Sequence, residues 1–138
     1  MGSHRLFTLA EANECVPRLR VLIERLQRCA LALARERDAW SAANGGGDVP
    51  PDVLLRERPA ARAAADELQA VMAAIEESGV QLKDLEIGLV DFAAEHDGRT
   101  VLLCWQYGEP EVAFWHGVDE GFAGRKPLAG VRTRPPLQ

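Results

Sequence analysis

The sequence has few cysteines and no long apolar run. Its three cysteines, Cys15, Cys29 and Cys104, are an odd number without a CxxC pair. This excludes a disulfide framework or a zinc-finger pattern and favours reduced thiols. No stretch approaches the roughly 18 apolar residues of a membrane span, and no signal peptide opens the chain. We therefore expect a cytoplasmic protein with no membrane partner.

Basic residues are also in short supply. The chain has 16 Lys and Arg against 21 Asp and Glu, a net charge of −5. A nucleic-acid partner is not expected, because such proteins present a basic face to the phosphates. A length of 138 residues with 47% hydrophobic content suits one domain, which we place at 5–138.

The first half of the chain has the spacing of long helices. Thr8 and Glu11 form a capping box, and Pro17 predicts either a kink near Cys15 or a short first helix before a long one. The glycines and prolines of 44–52 predict a flexible loop. The apolar positions recur at intervals of three and four: Leu9, Ala12, Val16, Leu19, Ile23, Leu26, Ala30, Leu33, Trp40, then Ala61, Ala65, Leu68, Met72 and Ile75. A second helix from about Pro59 to Ser78 completes an antiparallel helical hairpin over about 8–79.

The second half alternates like a sheet. We predict three strands joined by turns at Asp97-Gly98 and at 107–110; the strands are 86–93, 100–106 and 111–116. The predicted fold is therefore α+β, with the helical hairpin packed on a three-stranded antiparallel β-meander at about 86–116. A glycine-rich loop and tail follow at 117–138.

Alternation along the strands also predicts the two faces of the sheet. Phe92 opposite Leu103 sets the first register, and Leu103 opposite Phe114 sets the second. The inner face is then almost wholly apolar: Val90, Phe92, Val101, Leu103, Trp105, Val112, Phe114 and His116. The outer face is mixed, which is typical of a binding surface or dimer interface: Leu89, Asp91, Ala93, Leu102, Cys104, Gln106, Glu111, Ala113 and Trp115.

Several segments together resemble a known family. They are FTLAEANECVPRLR (7–20), LKDLEIG (82–88), GLVDF (88–92), LCW (103–105), GEPEVAFWH (108–116) and GFAGR (121–125). This set is similar to the family called domain of unknown function 2203. The resemblance implies a small soluble bacterial or archaeal protein with no established activity, and it transfers no catalytic residue.

The candidate binding residues lie around the outer face. Asp91 is unfavourable within a strand, so it needs a partner, and we expect either an ion pair with Arg125 or Arg99 or the capping of a nearby loop. Its carboxylate beside Cys104 disfavours the thiolate, so a nucleophilic cysteine is not expected. We predict no catalytic residue, and the predicted ligand-binding residues are Asp91, Glu109, Glu111, Trp115 and Arg125.

Two further sites have structural alternatives. His116 with Asp119 and Glu120 is a candidate for a divalent metal, the one cofactor that the residues allow. The alternative is a strand-end histidine that bonds a carbonyl or carboxylate. The loop 121–125 is a candidate binding site for an anion or nucleotide. The alternative is a structural role, in which the glycines allow the turns and Arg125 forms an ion pair.

Two functional hypotheses remain. The first is a non-enzymatic binding or protein-interaction module that acts as a homo-oligomer, a homodimer formed through the long helices or the outer face. The alternative is a small metal- or anion-dependent enzyme whose site lies around Asp91, Glu109, His116 and Arg125.

Overall fold

Three helices precede a five-stranded antiparallel sheet in the computed structural model, which describes residues 5–129. The helices are α1 (Leu9–Ala43), α2 (Pro51–Glu57) and α3 (Pro59–Glu77). The strands are β1 (Gln81–Asp84), β2 (Leu89–His96), β3 (Arg99–Gln106), β4 (Phe114–Gly117) and β5 (Lys126–Pro127), with a 3-10 turn at Phe122–Gly124 before β5. The α+β class is confirmed. The predicted number of three strands is wrong, because short strands pair with both edges of the meander.

The chain divides into two compact units. The first contains the described residues up to Ile23 and from Ile75 onward, and the second is Glu24–Ala74. No helix of the described residues has both the length and the apolar content needed to cross a membrane. The predicted tail from position 130 onward lies outside the described residues.

The first unit begins with the predicted capping box. The Glu11 backbone N–H donates to Thr8 Oγ1 at 3.1 Å, and the Thr8 N–H donates to Glu11 Oε1 at 2.9 Å. Phe7, just before it, donates its N–H to the Ala93 carbonyl at 2.7 Å and sets its ring edge-on to Phe92, with centroids 5.2 Å apart. Both rings are fully buried, so the start of the first helix is fastened to the inner face of the sheet.

The second unit is helical and is joined by polar contacts between its helices. Arg58 donates to Glu36 at 2.7 Å, and the Trp40 indole donates to Glu57 at 3.0 Å. Helix α2 begins at Pro51, inside the segment predicted as a loop. Proline is well tolerated at a first helical turn, and this explains the error. Helix α1 runs from Leu9 through Pro17 without a break, so the alternative of a separate short first helix is wrong.

The turn between β2 and β3 has the predicted geometry. Asp97 has φ +53° and Gly98 has φ +75°, and two successive positive φ angles are typical of a type I′ hairpin turn. The register that this turn sets is as predicted, with Phe92 opposite Leu103 and Asp91 opposite Cys104.

The register between β3 and β4 is the main error of the sequence interpretation. Phe114 lies opposite Cys104, and Trp115 lies opposite Leu103, so every side chain of β4 is on the face opposite to the one predicted. His116 and Phe114 therefore belong to the outer face, and Trp115 belongs to the inner side.

The cause is a long loop in place of the predicted two-residue turn. Residues 107–113 do not pair with β3. The loop bonds elsewhere: the Val112 N–H donates to Asn13 Oδ1 at 2.7 Å, and the Glu109 carbonyl accepts from the Trp105 indole at 3.0 Å. Because these contacts fix the loop without a β-ladder, the alternation of its residues does not continue into β4.

Candidate metal centre

Asp91, Cys104 and His116 meet at the middle of the outer face. Asp91 on β2 is directly opposite Cys104 on β3. His116 on β4 is opposite Leu102, two residues from Cys104 along the same strand and on the same face. One potential ligand atom from each residue lies within 4.8 Å of the other two, and all three side chains are buried. This buried group is called the outer-face cluster below.

Hydrogen bonds determine how His116 is protonated. Its Nδ1 lies 2.9 Å from the Gly117 carbonyl oxygen, which only accepts, so Nδ1 carries a proton. Its Nε2 lies 3.1 and 3.2 Å from the two Asp91 oxygens. One proton therefore sits between Nε2 and the carboxyl group, and Asp91 and His116 are neutral as a pair whichever of them holds it. Asp91 thus takes His116 as its partner, and not the predicted Arg125 or Arg99.

Cys104 neighbours both Asp91 and the half-buried Arg125. Burial and the neighbouring Asp91 carboxyl raise the pKa of the Cys104 thiol to about 11, against the opposing effect of Arg125. The thiol is consequently protonated at neutral pH. A protonated thiol is a weak nucleophile, since the thiolate is the reactive form.

Arg125, beside Cys104, is held by an ion pair and two aromatic rings. Its Nη2 donates to Glu109 Oε1 at 2.7 Å, and its guanidinium lies 4.1 Å from the Phe114 ring centroid and 4.8 Å from that of Phe122. Its Nε is buried without a hydrogen-bond partner among the described residues. A buried donor without an acceptor is costly, so this atom marks a place where an acceptor would be stabilising.

Glu109, in the loop between β3 and β4, connects Arg125 to the end of β3. Besides Arg125, its Oε1 accepts the Gln106 backbone N–H at 2.8 Å. The four residues of the sequence-based enzyme hypothesis therefore form two pairs, Asp91 with His116 and Glu109 with Arg125.

The other predicted site residues lie elsewhere. Glu120 bonds Lys126 at 2.6 Å and the Gly117 N–H at 2.8 Å, and the bond from Lys126 holds its pKa below the ordinary value. With Trp115 and Asp119 it lines a cavity of about 550 Å³, and it also lines a smaller cavity together with Asp91 and His116. Glu111 is exposed in the loop before β4. None of these residues contributes a ligand atom to the outer-face cluster.

A smaller cavity reaches the cluster directly. It has a volume of about 180 Å³, and Asp91 and His116 are part of its lining. The cluster is thus buried but has a space beside it large enough for a small ligand.

The family model for an uncharacterised conserved protein, DUF2203, matches residues 5–128. The chain belongs to this family. No curated protein matches the chain significantly, and neither does any solved structure. The match includes every residue of the outer-face cluster, and the description of the DUF2203 family gives the cluster no role.

Sequence reasoning named all three members of the cluster and placed Asp91 beside Cys104, but it missed their association with His116. Cys104 was placed beside Asp91, but the incorrect second register assigned His116 to the opposite face. One signal did point to the association, because a carboxylate in the middle of a strand requires a polar partner. A histidine two residues after Phe114 meets that requirement as soon as Phe114 lies opposite Cys104.

Proposed function

We propose that this protein is a non-enzymatic binding module whose outer-face cluster holds a divalent metal ion, with Zn²⁺ the best-fitting class. One observation carries the proposal: three different metal-ligating side chains, Asp91, Cys104 and His116, are buried with their ligand atoms within 4.8 Å of one another. Ligands of a tetrahedral zinc ion lie ~3.3–3.8 Å apart, given bonds of ~2.0 Å to nitrogen and ~2.3 Å to sulfur. His116 Nε2 already lies 3.1 and 3.2 Å from the Asp91 oxygens. The Cys104 sulfur, within 4.8 Å of both groups, would need to approach them by about 1 Å, which small rotamer adjustments supply.

The orientation of His116 supports this proposal. Histidines that bind metal through Nε2 commonly donate the Nδ1 proton to a carbonyl or carboxylate, which fixes the ring. The contact between Nδ1 and the Gly117 carbonyl is of this type, and it leaves Nε2 directed at the cluster.

The charges of the cluster support it as well. A divalent ion would replace two protons, the one on the Cys104 thiol and the one shared by Asp91 and His116. With both carboxylate and thiolate ionised, the ion and its ligands are neutral in sum. Neutrality favours a buried site, since an uncompensated charge would be strongly destabilising there.

Arg125 gives the third line of support. The same thiol that a metal would ionise lies beside Arg125, whose charge lowers the pKa of Cys104. A metal-bound thiolate would accept a hydrogen bond from the buried Nε, which has no partner among the described residues. Arg125 would then act as a positioning residue for the sulfur ligand.

Titration of the chelator-treated protein with Co²⁺ tests the proposal. We expect one ion per chain and a near-ultraviolet thiolate-to-cobalt charge-transfer band, which reports sulfur ligation directly. Cys104→Ser should abolish this band, and His116→Gln should weaken binding. The matched control is the double variant Cys15→Ser and Cys29→Ser, which keeps Cys104 and should retain the band. Absence of the band in the unaltered protein, or its persistence in Cys104→Ser, contradicts the proposal.

A further inference from the structure

The cavity beside the outer-face cluster points to a ligand for the metal. This inference rests on the proposed metal site and adds an occupant for it. Asp91, Cys104 and His116 supply three ligands, and a zinc ion with three protein ligands keeps its fourth position for water or substrate. Both Asp91 and His116 line the 180 Å³ cavity, so the fourth position faces that space.

The charges around the cavity favour a single negative charge on this ligand. The metal and its three protein ligands sum to zero, as argued above. Glu120, also at the cavity, is already paired with Lys126. Lys83 lines the cavity as well, and no acid among the described residues forms an ion pair with it. The cavity with its metal therefore has an excess of one positive charge.

The walls of the cavity favour an apolar body on the same ligand. Leu89, Leu102 and Phe122 line it. The volume of 180 Å³ holds about six water-sized groups at roughly 30 Å³ each. A second cavity of about 400 Å³ shares Lys83, Leu102 and Val118 with the first and adds further apolar lining from Leu6 and Ala93. A carboxylate with a short carbon chain fits this combination of one charge and apolar walls.

We propose that the metal-loaded protein binds a small aliphatic monocarboxylate. One carboxylate oxygen takes the fourth position on the metal, the other bonds Lys83, and the carbon chain lies along Leu102 and Val118. Phosphate fits less well, because the described lining of both cavities contains no arginine. Arg125, the cation of the 121–125 loop, already forms an ion pair with Glu109.

Visible spectroscopy of the Co²⁺-loaded protein tests this proposal, because the d–d bands report a change of ligand at the fourth position. The probes are acetate, butyrate and inorganic phosphate. We expect saturable band shifts with both carboxylates, tighter binding of butyrate, and no saturable shift with phosphate. Lys83→Gln should weaken butyrate binding about tenfold, the order of one charge-assisted hydrogen bond. Lys83→Arg should restore most of it.

The outcomes separate this inference from the metal site itself. If the protein does not bind Co²⁺, both the metal site and the carboxylate site are contradicted. Normal Co²⁺ binding with bands that butyrate does not alter overturns the carboxylate alone. Saturable binding of phosphate without butyrate overturns the choice of ligand class, and equal butyrate affinity in Lys83→Gln overturns the role of Lys83. Val118→Ser, at the wall shared by the two cavities, should reduce the advantage of butyrate over acetate and leave acetate binding unchanged.

Discussion

At the scale of single residues, the neutral pairing of Asp91 with His116 explains how a carboxyl group lies buried inside a strand. Either residue alone would be an unpaired buried polar group, which costs several kcal/mol if it is charged. Together they share one proton and use the Gly117 carbonyl for the other ring nitrogen. Such a pair is weak evidence for stability, because apolar residues of similar volume often stabilise a core equally well. The proposed metal site would account for its position.

Cys104 gives the metal-free protein a specific response to alkaline pH. The pKa of its thiol rises from the ordinary 9.0 to about 11 in the folded chain, so folding favours the protonated form. The stabilisation is fully present below pH 9 and is lost as pH rises to 11, by on the order of 2 kcal/mol. Urea unfolding of the chelator-treated chain at a series of pH values measures this loss.

The other cysteines must be removed for that measurement, since burial also raises the pKa of Cys15 and Cys29. Both are changed to alanine in the reference chain. Adding Cys104→Ala to this reference should flatten the stability profile between pH 9 and 11. An unchanged slope would show that other groups cause the alkaline loss.

At the scale of elements, the connection between β3 and β4 sets the register of β4. The register in turn determines which β4 side chains lie on the outer face with the cluster. The hairpin at Asp97-Gly98 was predictable, because a two-residue turn with a strong local preference fixes its register. The segment 107–113 was not predictable in this way. Its geometry depends on Asn13 in a distant helix and on a carboxylate that bonds its own loop. Such contacts leave no periodic signal in the sequence.

Glu109 holds this connection to Arg125 and to the end of β3. Glu109→Ala should destabilise the protein by about 2 kcal/mol, because it leaves Arg125 without its acid partner and the Gln106 N–H without its acceptor. Glu109→Gln keeps an acceptor oxygen and loses only the charge, so it should cost less. Thermal unfolding of both variants gives the difference, and equal loss in the two would contradict a role for the hydrogen bond to Gln106.

At the scale of the whole molecule, the sequence predicted the α+β class through two periodicities, about 3.6 residues in the helices and 2 in the strands. It did not reveal the cluster. Asp91, Cys104 and His116 are far apart along the chain and belong to three different strands. They meet only through two registers, and an error of one residue in either register moves one member to the opposite face.

Self-association stays a prediction of the sequence. The structure favours the exposed residues of α1 over the outer face as the dimer surface. The outer face was one proposed dimer surface, but Leu89, Ala93 and Leu102 are buried within the chain itself. On α1, Val21 is 56% exposed and Leu31 is 52% exposed. Val21 belongs to the first compact unit and Leu31 to the second, so each unit has an exposed apolar side chain on this helix.

Light scattering of the full chain over a range of concentrations measures the association directly. We expect a dimer that dissociates on dilution, because a charged residue lies three positions from each apolar side chain, Glu24 from Val21 and Arg28 from Leu31, and weakens an apolar contact there. The double variant Val21→Glu and Leu31→Glu should give a monomer at every concentration. Val118→Glu, which places the same charge on an apolar residue that is also 56% exposed but lies beside the outer face, should leave the dimer intact. If Val118→Glu alone gives the monomer, the interface belongs to the outer face, and a dimer would then cover the cavity proposed for the carboxylate.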